Sequence, residues 1–188
     1  TVVVDEDEIL SGNIFKSIRA RTPWLFITLI GEFIAVNVGN HFDSTLHALP
    51  IIAIFMPLLA GLGGNIGTQS ITLIVRGLST GQINLSSAVH HMLREACIGL
   101  FIGTIFGLLV TLVCWGWQHS KALGAVVGVA MAINMTMATI IGTFTPFALK
   151  AMKVDPAVAS GPVIATTIDV LGLAIYFTLV STFLIKVM

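Results

Sequence analysis

The sequence predicts an all-α, polytopic membrane protein with five transmembrane helices, and three observations predict it. Of its 188 residues, 56% are hydrophobic and only 10% are charged, whereas soluble domains carry about 25% charged residues. The apolar residues gather in runs long enough to cross a hydrocarbon core about 30 Å thick. A β-barrel would instead show roughly ten-residue segments of alternating polarity. The formal net charge of zero lacks the basic footprint of a nucleic-acid partner.

Residues 1–21 do not fit a membrane. They hold the acidic run Asp5-Glu6-Asp7-Glu8 and read as a cytosolic acidic stub followed by a connecting helix. An acidic, polar start is not a cleavable signal peptide. Residues 22–188 hold the spans. The first runs from about Thr22 to Val38 and contains Glu32, and the second falls within Ala48 to Val75 and is rich in glycine. The third covers about Ala96 to Trp117, the fourth lies within Ala122 to Leu149, and the fifth covers about Pro156 to Ile185. Cys97 and Cys114 share the third span, roughly 25 Å apart along one helix, too far to bridge.

The basic residues set the orientation. Lys16, Arg19, Arg21, Arg76, Arg94, Lys150 and Lys153 fall on one side, and only Lys121 and Lys186 on the other. This predicts a multi-pass protein of the cell inner or plasma membrane, with the N-terminus cytoplasmic and the C-terminus outside.

Asp169 is the most informative residue. It is the one charge in the apolar run from Pro156 to Ile185. A carboxylate at that depth costs a few kcal/mol and is retained where it faces a partner or water. Gly161, Ala165, Asp169, Gly172 and Tyr176 recur at helical spacing, so little bulk surrounds the acid. The second span carries Gly61-Leu62-Gly63-Gly64-Asn65-Ile66-Gly67, and Asn65, Gln69, Thr72 and Arg76 share one helical face led by Gly61. Such a stripe is either a pore lining or a tight packing seam, and its glycines permit close helix approach or a helix break. Glu32 reads equally as a pathway residue or as an interfacial or buried protonated acid. His91 and Glu95, at i and i+4, read as part of an interfacial cluster. No Walker loop, HExxH or GxSxG motif is present, so no enzymatic chemistry is expected.

Two strings carry a family resemblance. Pro57 and Gly61-Leu62-Gly63-Gly64-Asn65-Ile66-Gly67-Thr68-Gln69-Ser70, followed by Arg76-Gly77-Leu78, resemble the second span of the MgtE magnesium channels. Asp155-Pro156-Ala157-Val158-Ala159-Ser160-Gly161-Pro162, then Thr166-Thr167-Ile168-Asp169-Val170-Leu171-Gly172, resemble their fifth. The resemblance implies a homodimer with five spans per subunit and the pore at the subunit interface. It implies that Asp169 is the main Mg²⁺-binding residue, that Ala165 adds a backbone carbonyl, and that Gly61 and Leu62 contribute backbone oxygens and Asn65 its side chain. It also implies cytosolic regulatory domains, which are missing here, so the chain resembles the pore module alone.

The chemistry suits that ion. Mg²⁺ gives up its waters reluctantly, so a pore can grip it through acceptor oxygens that meet the hydration shell. Two Asp169 carboxylates would repel each other unless a divalent ion lay between them. The alternative is a secondary transporter exchanging protons or sodium for divalent cations, since midplane acids and broken helices fit that class too. An intramembrane aspartyl hydrolase would need a second midplane aspartate.

Overall fold

The computed structural model describes residues 14–154, 156 and 161–184. The acidic run at residues 5–8, Asp155 and residues 157–160 of the fifth-span string lie outside the described residues.

Among the described residues the fold is helical, with no strand. Helix α1 is Ile14–His41, and a short α2, Asp43–Ala48, turns the chain. A 3₁₀ segment, Pro50–Phe55, leads into α3, Met56–Ser79. Helix α4 is Ala88–Gln118 and α5 is Lys121–Ala151. Helix α6, Gly161–Leu179, ends in a π-helical turn, Val180–Leu184. Five stretches are long and apolar enough to cross a membrane: Ile14–His41, Pro50–Ser79, Leu85–Gln118, Lys121–Ala151 and Ile164–Leu184. These match the five expected spans and overrun most of their limits. Helix α1 begins eight residues before Thr22, the expected start, and continues through Pro23.

Helix α5 is the centre of the bundle. Half of its span is buried, against 6% for α1. Small residues bring α4 against it. Gly99, Gly103 and Gly107, four residues apart, face Thr139, Ala132 and Gly128 in turn, and a Cβ at Gly103 would stand 2.8 Å from the Ala132 carbonyl. Thr111 Oγ1 lies 2.8 Å from the Gly107 oxygen and 2.9 Å from that of Gly124, joining the two helices. Lipid offers no hydrophobic drive to hold helices together, so close backbone approach and such hydrogen bonds do the work. The turn between them needs a left-handed residue, His119 at φ 53°, and Ser120 caps α5 by accepting from the Leu123 N–H.

Helices α3 and α6 complete the core around α5. Tyr176 of α6 is fully buried and donates its hydroxyl to the Ile52 carbonyl at 2.9 Å. Among the long helices α1 leans chiefly on α6. The seam runs from Gly31 against Thr166 to Phe42 stacked on Phe177 at 5.4 Å, so the two helices are parallel.

Candidate functional site

Helix α3 has two faces with opposite uses of glycine. On the inner face, Gly63 and Gly67 are buried. A Cβ at Gly63 would stand 2.6 Å from Asn134 Nδ2, and one at Gly67 would collide with Ile168 Cδ1. On the outer face, a Cβ at Gly61 or Gly64 would meet nothing within 4 Å. Asn65, Thr68, Gln69, Thr72 and Arg76 are exposed on that side. Thr68 and Thr72 spend their hydroxyl protons on the carbonyls one turn back, Gly64 and Thr68, each at 2.8 Å. Their oxygens then have lone pairs left to accept. The helix stays continuous through every glycine, so the alternative of a helix break in this segment is not what the chain adopts. Irregular backbone lies instead in the 3₁₀ segment before α3 and in the π turn after α6.

The inner face sets the position of the acid. Ile168 of α6 fits against Gly63 and Gly67, which seats α6 on α3, and the next residue, Asp169, is half-exposed. Ala165, one turn earlier, is also half-exposed. Among the described residues Asp169 has no hydrogen-bond or ion-pair partner. Of the expected ion-binding residues, Asp169 and Ala165 therefore sit together on α6. Gly61 and Asn65 lie on the open face of α3, and Leu62 is half-buried between that face and the core. The lower half of the predicted α6 stripe turns away from the acid. Gly172 is buried against Asn134, and Tyr176 belongs to the core.

Glu32 is exposed on α1. The Gly31–Thr166 contact brings it close enough to Asp169 for the two carboxyl groups to interact electrostatically. No group of three or more His, Cys, Asp and Glu able to hold a metal occurs among the described residues. Any cation held here by one chain would meet the Asp169 carboxylate, with that of Glu32 nearby, and the amides, hydroxyls and carbonyls of α3. That is an oxygen-only set of the kind hard cations take.

Two buried polar residues escaped the sequence reading. Asn134 is 1% exposed and donates from Nδ2 to the Leu59 carbonyl at 2.8 Å. It is the only amide side chain in the run from Ala122 to Leu149, and that was the available signal. Glu95 was expected in an interfacial cluster. It is instead 6% exposed and accepts from Ser70 Oγ at 2.8 Å, tying α4 to α3. His91, its supposed companion, stacks on Phe147. The i, i+4 spacing gave no sign that α3 would pack over Glu95.

Comparison with known proteins bears on this arrangement. The family model MgtE, described as a divalent cation transporter, matches residues 56–179. The chain belongs to the MgtE family. The magnesium transporter MgtE of Bacillus subtilis is 37% identical over 164 residues, 87% of this chain and 36% of that protein. That of Enterococcus faecalis is 35% identical over 181 residues, 96% of this chain and 40% of that protein. That of Thermus thermophilus is 38% identical over 160 residues, 85% of this chain and 35% of that protein. The chain thus spans well under half the length of these relatives. The matched MgtE region takes in both the open face of α3 and Asp169 of α6, and it leaves Glu32 outside.

Proposed function

We propose that this chain forms the membrane pore of a magnesium channel, conducting hydrated Mg²⁺ between two copies of itself. The carrying observation is a mid-span Asp169 with no hydrogen-bond or ion-pair partner among the described residues, on the helix that packs against α3, whose polar face no described residue covers. In lipid an uncovered row of amide, hydroxyls and a mid-span acid is costly. Water and a second copy of the same face relieve that cost together. In this reading Asp169 is the central ion-binding residue. Asn65 and the backbone oxygens of Gly61, Leu62 and Ala165 complete a ring wide enough for an ion that keeps its waters. The relatives named as magnesium transporters support the choice of ion. Their greater length fits cytosolic regulatory domains that act on such a pore, and the distribution of basic residues supports a cytoplasmic N-terminus.

The test is Mg²⁺ uptake into proteoliposomes by Asp169→Asn. The amide keeps the shape and removes the charge, so the variant is expected to fold and associate normally while uptake drops at least tenfold. Wild-type uptake by a folded Asp169→Asn protein would refute the role assigned to this residue.

A further inference from the structure

We propose that the ends of α3 and α5 form a binding site for the phosphate headgroup of an anionic phospholipid, held by Lys150 and Lys153. A cavity of about 560 Å³ opens there. Val75, Leu78 and Val154 give it an apolar wall, and Ser79, Lys150 and Lys153 give it a polar one. An apolar wall beside two ammonium groups fits a headgroup whose acyl chain continues into the membrane.

The two lysines have no other use in the described chain. Helix α5 ends in a Schellman turn. The Lys153 N–H bonds to the Lys150 carbonyl at 3.1 Å, the Val154 N–H to that of Leu149 at 2.9 Å, and the Met152 N–H to that of Ala148 at 3.0 Å. The carbonyls of Ala148, Leu149 and Lys150, which would otherwise attract these ammonium groups, are thus already bonded. At the end of α3, the Arg76 carbonyl accepts from the Thr80 N–H and from the Ser79 and Thr80 hydroxyls, and the Gly77 carbonyl accepts from the Ile83 N–H. Among the described residues neither lysine has an ion-pair partner. The left-handed position of the turn, usually glycine, is Lys153 itself at φ 60°. A side chain there costs backbone energy, and the turn sets Lys153 beside Lys150 on the cavity wall. Basic pockets between membrane helices are a known way of holding lipid phosphates.

The experiment is native mass spectrometry of the purified protein titrated with phosphatidylglycerol, phosphatidylcholine or inorganic phosphate. The wild type is expected to bind phosphatidylglycerol well above the other two. The double variant Lys150→Gln/Lys153→Gln is expected to weaken that binding roughly 10- to 30-fold, in line with the contribution of two lysines near a charged headgroup. Lys121→Gln serves as the control for general charge, since Lys121 lies over the Trp115 ring at the opposite end of α5, and it should leave binding unchanged. Lys153→Gly guards against misfolding. Glycine suits the turn, so its lipid-free thermal stability should hold or rise while phosphatidylglycerol binding falls severalfold. Full binding by the double variant, equal loss in Lys121→Gln, or equal binding of phosphatidylcholine would each overturn the site. Preference for inorganic phosphate over the lipid would overturn the lipid assignment.

Discussion

At position 134 one side chain serves three helices. The Asn134 amide donates to the Leu59 carbonyl on α3 and sits against Gly63 of α3 and Gly172 of α6. Both glycines leave out the Cβ that would occupy its place. Truncation to alanine removes the hydrogen bond and leaves a void among three helices. Asn134→Ala is therefore expected to cost about 1–3 kcal/mol of stability, read as a lowered midpoint of unfolding in detergent. An unchanged midpoint would mean that the amide is dispensable. Ser70 offers a second test at this scale. Its hydroxyl donates to buried Glu95, so Ser70→Ala should destabilise the α3–α4 contact by about 1–3 kcal/mol. A loss no larger than that of an exposed control such as Ser79→Ala would show that Glu95 does not depend on it.

Among the helices, α3 separates packing from function residue by residue. A Cβ at Gly67 would meet Ile168 and, at 3.3 Å, the Ala138 carbonyl. Gly67→Ala should overpack the seam and cost about 1–3 kcal/mol, displacing Asp169 along with Ile168. Gly64 faces open space, where alanine improves helix propensity by up to about 1 kcal/mol. Gly64→Ala is therefore expected to hold or raise thermal stability yet narrow the polar face, so uptake of Mg²⁺ should fall. Equal stability losses in the two variants would contradict the two-faced description. The sequence carried this face clearly, because Asn65, Gln69, Thr72 and Arg76 repeat at helical spacing. It did not carry which glycines pack and which stand open. That depends on α5 and α6, whose contacts are distant in the chain. The same limit hid Glu95, whose hydrogen-bond donor, Ser70, lies on α3, 25 residues away.

For the molecule as a whole, the five spans were legible from apolar run length alone, because lipid demands helices of a set length. Their arrangement was not. Small residues occur in every span, and composition could not show that α4 packs on α5 while α1 leans chiefly on α6. The proposed association has its own check. If two copies cover each other's α3 faces, Thr72→Cys in a Cys97→Ser background should form a cross-linked dimer under mild oxidation in membranes. Cys97 is the exposed native thiol, so its removal clears the background. Cysteine at Leu109, exposed on α4 away from the proposed α3 interface, should cross-link poorly. Equal cross-linking at both positions would argue against a specific α3 interface.

The most direct measurement is the Mg²⁺ current through the wild-type protein and Asp169→Asn, reconstituted side by side in a planar bilayer. A channel centred on Asp169 predicts unitary Mg²⁺ currents above any carrier's turnover in the wild type, independent of a proton or sodium gradient, and their loss in the variant. Mg²⁺ movement that requires such a gradient, or undiminished currents without the carboxylate, would contradict the account.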